Sequence, residues 1–235
     1  AVRILRYANA ARQVTEREIN TLALALQRLG TEEVVNIVLA ASLQARRLGR
    51  DHFAEEKRQL WSQAATAAFI ARALAVQLGL ERNLAFLCGL LMDFGMNILY
   101  SVIQDIQARQ ACSESFPLEV IQQVIQDFHP SVGRLIGEKW QLPATVIEAM
   151  AYHHCFEQMG TDNPYIAISA LADYLTDFAL GMPRTVLEDA LLTFSPAQVA
   201  VHPAAQRLGL DEAAAANVLA SLPLNVDQAH ELAAS

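Results

Sequence analysis

Five residues in this chain carry side chains suited to metal or acid–base chemistry: Asp93, His129, His153, His154 and Asp173. Asp93 stands in an apolar run, AFLCGLLMDFG, and Asp173 in another, ISALADYL. A carboxylate in such surroundings is costly unless it is paired or hydrogen-bonded. Imidazole and carboxylate together are common ligands of divalent metals, so one reading is a metal site built from several of the five. Each residue also has a structural alternative. His154 falls on the apolar stripe of its helix, where a hydrogen-bonded core histidine is the simple expectation. His129, just before Pro130, can sit at a helix N-terminus. Asp93 can cap the helix that follows Gly95, and Asp173 can accept a hydrogen bond from a histidine. The five are spread over about 80 positions, and spacing alone leaves these readings open.

The elements that must position them read as helices. The segment from Leu84 to Ile103 divides into two apolar core helices, about 82–92 and 95–108, hinged at Phe94-Gly95. A long helix is predicted from about Asp51 to Leu78, charged at first, then alanine-rich, and stopped by Gly79. Pro117 opens a helix through Phe128, and Pro130 is read as the first turn of another. Val132, Leu135, Ile136 and Trp140 mark that helix's core face, which makes Trp140 a buried side chain worth roughly 3–5 kcal/mol. Pro143 starts the next helix, with its stripe at Val146, Ile147, Met150, Ala151 and His154. A further helix spans about Pro164 to Leu180. Short helices follow at about 185–193, 196–207, 211–221 and 225–233, the last three separated by Gly209 and Pro223. Upstream, helices are predicted over 17–29 and 31–48. No strand pattern or internal repeat is evident, and the expected fold class is all-α.

Composition agrees. The chain has 235 residues, of which 53% are hydrophobic and only 7% aromatic, with a mean hydropathy of +0.22. That is too apolar for a disordered chain. The net charge of −8 argues against a nucleic-acid binder, which needs lysine and arginine in excess. The charge is uneven, about +4 over residues 1–80 and −12 over the rest, so an arginine-rich first part is a candidate partner face. Three cysteines, Cys88, Cys112 and Cys155, without a CxxC pair, suggest free thiols in a reducing compartment. No basic-then-apolar signal segment is present, and Asp93 within the most apolar stretch opposes membrane insertion. These features lead us to expect a soluble, cytoplasmic protein. The first helix lacks an N-cap, which suggests a chain cut from a longer one.

Several blocks resemble one family, in order, over about residues 1–180. Leu90-Leu91-Met92-Asp93-Phe94-Gly95 is similar to the GLLHDIG motif of the HD phosphohydrolase superfamily. HPSVGRLIGEKWQLPATVIEAMAYHH resembles the H-x-x-VG-x-x-L-x-x-x-W-x-LP segment, ending in HH, of the HD-related output domain (HDOD) branch. RILRYANAA and TLALALQRLGTEEVVNIVLA resemble its upstream segments, and Trp61-Ser62-Gln63-Ala64 stands where W-x-H-S is common. The resemblance implies an HD-like helical core over 51–190, a small N-terminal helical sub-domain over 1–50 with an apparently truncated start, and a C-terminal helical extension over 191–235.

The resemblance also bears on the site. Catalytic HD enzymes hold metal with a histidine, a His-Asp pair and a later aspartate. Here Gln63 takes the place of the first histidine and Met92 that of the pair. Asp93 and Asp173 match the aspartates, while His129, His153 and His154 resemble the extra histidines of dinuclear members. An amide and a thioether are poor ligands for a hydrolytic metal, so on this comparison the site is vestigial, no metal or other cofactor is expected, and the protein is not an enzyme. The GYP motif of the cyclic-dinucleotide phosphodiesterase branch does not follow His153-His154.

The family then implies a non-catalytic signal-transduction output module. It would act through protein partners and belong with an upstream regulatory domain such as a receiver, and it would contact neither nucleic acid nor membrane. The charged stretch His52–Gln59 is a second candidate contact surface. Two alternatives stand beside it. One is a metal-dependent phosphohydrolase that uses Asp93, His129, His153, His154 and Asp173 as ligands. The other is a nucleotide- or anion-sensing module, with Arg134 and Lys139 as the nearest basic groups.

Overall fold

Alanine sets the architecture. In the long helix α1 (Ala54–Gln77), every residue from Ala65 to Ala71 is buried, and Leu74 and Ala75 extend the buried stretch. A helix apolar on all sides belongs at the centre of a bundle. Its small side chains let α2 (Arg82–Leu91), α6 (Pro164–Leu180) and α9 (Glu212–Ala234) pack directly on it. The structure is a computed structural model that describes residues 52–110, 116–158, 162–181 and 193–234, with Leu187, Ala190 and Leu191 between the last two. Among these residues there are nine α-helices and no strand. The protein is an all-α, multi-helix bundle, as its composition suggests. The predicted helices at 17–29 and 31–48, the sub-domain over 1–50 and Cys112 lie outside the described residues, as does much of 185–193.

The remaining helices are α3 (Phe94–Gln110), α4 (Leu118–Lys139), α5 (Ala144–Tyr152), α7 (Pro196–Ala200) and α8 (Pro203–Arg207). Polar caps fix several starts. The Glu81 carboxylate accepts from the backbone N–H of Asn83 and Leu84 at the start of α2, and Asn163 Oδ1 accepts from the Tyr165 N–H at the start of α6. Gly79, with φ of 65°, ends α1 as expected. The main core joins α1, α2, α5, α6 and α9 around Phe69, Phe86, Met150, Leu171 and Leu222. A smaller cluster of Phe53, Met96, Tyr100, Ile121 and Ile125 holds α3 and α4 against the start of α1. The segment Arg82–Arg109 is long and apolar enough to cross a membrane by length and composition. It is folded as α2 and α3, divided by a turn at Met92–Asp93, and half of its most apolar window is buried.

Two prolines depart from their sequence reading. Pro130 does not begin a helix; it lies inside α4. Pro223 does not separate two helices; it lies inside α9. A mid-helix proline removes one hydrogen bond and crowds the preceding turn, and here tertiary packing outweighs that. In α9 the stripe Val218, Leu219, Leu222, Val226, Ala229 and Leu232 stays buried across the proline. Conversely, the single helix expected over 196–207 divides into α7 and α8. His202 caps the second of these, its Nδ1 accepting from the Ala204 N–H, and Pro203 opens it.

The core face of α4 also differs from the expected one. Its buried positions are Ile121, Ile125, His129, Gly133 and Gly137, whereas Leu135 is 63% exposed and Trp140 40% exposed. The glycines face inward because α5 lies close: a Cβ at Gly137 would meet Ile147 Cγ1 at 3.0 Å. Trp140 instead lies on the surface against Phe94, ring centroids 5.1 Å apart. The Trp140→Ala variant is therefore expected to lose only about 1–2 kcal/mol, an aromatic pair plus partial burial. Urea unfolding of the two proteins measures this directly, and a loss above the sequence-based 3 kcal/mol would restore Trp140 to the core.

Candidate metal centre

Three structural elements bring the site together. Asp93 occupies the turn between α2 and α3. His129 lies in the middle of α4, immediately before Pro130. His153 caps the C-terminus of α5, and His154 follows it in the turn. One nitrogen or oxygen from each of Asp93, His129, His153 and His154 lies within 4.8 Å of all the others. Asp93 Oδ1 is 3.3 Å from His129 Nε2 and 3.2 Å from His153 Nε2, and His154 Nε2 is 3.1 Å from His129 Nε2. His129 and His153 are fully buried, while the His154 side chain is 46% exposed. The apolar stripe of α5 thus continues to His153, not to His154 as its sequence suggests.

Backbone carbonyls fix the tautomers of both buried imidazoles. His129 Nδ1 is 2.9 Å from the Gln126 carbonyl and 3.1 Å from that of Ile125. His153 Nδ1 is 2.9 Å from the Ala149 carbonyl. A carbonyl only accepts, so each Nδ1 donates, and in the neutral ring Nε2 carries a lone pair. Both lone pairs face Asp93 Oδ1. Metal-bound histidines are held in this way, with the second ring nitrogen donating to a carbonyl. Two atoms at this meeting point, Asp93 Oδ1 and His153 Nε2, are buried and have no hydrogen-bond partner of proper geometry. Convergent lone pairs and a carboxylate around an unsatisfied centre are what a divalent cation would satisfy, and three imidazoles with one carboxylate suit a first-row transition metal.

The electrostatics point the same way. Burial alone would raise the Asp93 carboxyl, but the imidazoles of His129 and His153 override it and hold it well below the usual carboxylate range. Burial would lower His153, and the adjacent Asp93 raises it. Each of the two thus favours the charged form of the other, and a bound cation would stand in for the proton on His153. His154 is pushed down to about 4, first by burial and then by its neighbour His153, so its ring is neutral at physiological pH.

Asp93 and His154 also line a cavity of about 420 Å³, together with Glu56, Gln59, Gln63, Met92, Met96, Tyr100, Gln122, Gln126, Asp173 and Asp177 among others. Asp173 stands apart from the four-residue cluster, with Oδ2 3.9 Å from His154 Nδ1. Burial and the Asp93 charge push it up to about 7, and the same two causes raise Asp177. Gln63 and Met92 line this cavity but do not join the cluster. Sequence reasoning did not single out Gln122, Gln126, Tyr100 or Asp177, because nothing in their local sequence separates them from ordinary surface or core positions. Arg134 and Lys139 do not line the cavity. Arg134 donates to Glu138 Oε1 at 2.9 Å and to the Tyr152 hydroxyl at 3.2 Å.

This arrangement overturns two expectations drawn from the sequence. The loss of histidine at Gln63 and Met92 suggested no metal, no cofactor and no enzyme. Four ligands nevertheless gather without either position, so the site can coordinate a metal ion and is not degenerate in that sense.

Comparison with known proteins agrees with the fold. Residues 1–156 match the HDOD domain family. An uncharacterized protein of Treponema pallidum (strain Nichols) is 25% identical over 203 residues, covering 81% of this chain and 38% of that protein. The chain thus spans well under half the length of this relative. Among solved structures, a candidate phosphohydrolase from Shewanella amazonensis SB2B aligns with a TM-score of 0.64 at 18% identity. An HDOD domain protein of unknown function from Geobacter sulfurreducens aligns at 0.65 and 19%. Each alignment covers 98% of this chain and 81% of the other. At these identities the likeness is one of fold alone.

Proposed function

This chain belongs to the HDOD domain family, and from that premise we propose that it binds a divalent transition metal through Asp93, His129, His153 and His154 and hydrolyses a phosphoester there. The observation that supports this reading is the pair of buried, unpartnered atoms, Asp93 Oδ1 and His153 Nε2, beside a His129 ring whose Nδ1, like that of His153, is held by a backbone carbonyl. A cation so held would supply a water deprotonated near neutral pH and Lewis acidity toward a phosphoryl oxygen. The protein's own part is to orient and to select. His129 and His153 are locked by their carbonyl partners, and the adjoining cavity is large enough for a small ligand. Gln59, Gln63, Gln122 and Gln126 offer it amide donors and acceptors, and no lysine or arginine lines it among the described residues.

The test uses the whole chain loaded in turn with Mn, Fe, Zn and Ni and offered bis(p-nitrophenyl) phosphate. Metal-dependent release of p-nitrophenolate, stopped by a chelator, is the expected result. A fully metallated protein that leaves this and other phosphoesters intact contradicts the reading.

The family resemblance also implies protein partners and a regulatory domain in the same chain. One observation favours a partner: Val120, Val124 and Phe128 form an exposed apolar row on α4, with Phe128 55% exposed. Such contacts are compatible with a working metal site, because this row lies about a quarter-turn round the helix from the buried face that carries His129.

A further inference from the structure

The geometry points to Pro130 as the residue that positions the His129 ligand. The inference rests on the metal-binding reading above. In an α-helix the N–H of residue 130 would bond the carbonyl of residue 126. Proline has no N–H, so within α4 the Gln126 carbonyl loses its backbone donor. His129 Nδ1 lies 2.9 Å from that same carbonyl. The ring's second contact, to Ile125 at 3.1 Å, goes to a carbonyl that the His129 N–H already serves in a regular helix. The proline thus opens the one acceptor in reach of the ring that no backbone group claims.

With Nδ1 held as a donor, Nε2 of the neutral ring is left as a lone pair, 3.1 Å from His154 Nε2 and 3.3 Å from Asp93 Oδ1. His153 reaches the same state differently. Its acceptor, the Ala149 carbonyl, also takes the backbone N–H of His153 at 3.3 Å, so the ring shares a carbonyl that is already claimed at the end of α5. At His129, by contrast, a proline creates a local helix end within a continuous helix and so supplies an unclaimed acceptor. This gives a reason for Pro130 to occupy the middle of α4, where helix propensity disfavours it.

The experiment compares the wild type with Pro130→Ala, using the whole chain. Long-range proton–nitrogen NMR reads the ring tautomers in metal-free protein, and calorimetry reads Zn and Mn affinity. In the wild type His129 should be the Nδ1–H tautomer. In Pro130→Ala the new amide at 130 should be protected from exchange, and His129 should lose its single tautomer while His153 keeps its own. Metal affinity should fall about tenfold, as for other lost partners of metal-bound histidines. The melting temperature should be unchanged or higher, since a helix bond is restored. Pro130→Ser provides the same test should the alanine variant fold poorly. A His129 ring that stays wholly Nδ1–H in the variants, with unchanged affinity, would overturn the inference. Should the wild type bind no metal, the functional reading fails, while a tautomer change in the variant would still establish the positioning role.

Discussion

Asp93→Asn is expected to abolish stoichiometric metal binding while leaving the fold intact. Asp93 is the sole carboxylate of the four-residue cluster, and its Oδ1 lies 3.2–3.3 Å from two fully buried imidazoles. Asparagine keeps the shape and removes the charge. A neutral amide neither offsets a divalent cation nor competes with carboxylate as a ligand. The affinity should fall by about 100-fold or more, at least the upper end of what losing a single outer partner costs. The metal-free protein should stay folded with only a modest loss of stability, because the charge that the imidazoles favour is removed while the carboxamide N–H₂ can donate to His153 Nε2. Calorimetric titration together with the melting temperature of chelated protein separates the two effects. A large loss of stability with little change in affinity would make Asp93 a structural residue.

Gly95→Ala is expected to be among the most disruptive single-methyl changes in the chain. A Cβ at Gly95 would lie 2.1 Å from the His129 carbonyl oxygen and 2.9 Å from the Gly133 nitrogen. Both are backbone atoms of α4 and cannot rotate aside, so the start of α3 must move away. Overpacking against side chains typically costs 1–3 kcal/mol, and a rigid backbone places this variant at about 3 kcal/mol or above. The displaced segment begins beside Asp93 and presses on the backbone of His129, so the ligands should separate and metal affinity should fall with stability. Gly133→Ala is the control. Its Cβ would meet only Met150, at 3.5 Å and beyond, and stability should change by less than about 1 kcal/mol. Urea unfolding of both variants measures the contrast, and equal effects would remove the argument from close approach.

Much of the fold was legible because local signals and packing agree. Gly79 ends α1, Pro143 precedes α5 and Asn163-Pro164 opens α6, each where backbone chemistry requires it. The sequence reading failed where packing overrode a local rule. Pro130 and Pro223 read as helix starts or breaks, yet α4 and α9 run through them because the buried stripe on either side is continuous. The inward face of α4 was hidden for a related reason. Glycine does not register as apolar, so Leu135 and Trp140 outweighed Gly133 and Gly137, although both glycines are buried and Gly137 admits α5 at close range.

For the site, the residue types were visible and their arrangement was not. Asp93, His129, His153 and His154 were all candidates, but comparison with a ligand pattern gave weight to Gln63 and Met92, which the cluster does not use. Spacing could not show that residues up to 61 positions apart converge within 4.8 Å. The carbonyls that orient two of the rings belong to Gln126 and Ala149, and a backbone acceptor leaves no trace in side-chain identity.

The central claim is that these four side chains hold a metal ion. Elemental analysis of the whole chain, purified without chelator and then offered Mn, Fe, Zn and Ni, tests it most directly. The account predicts close to one retained ion per chain, with X-ray absorption showing several imidazole ligands. Protein that retains none of these metals after dialysis, or retains them equally well in Asp93→Asn, would contradict it.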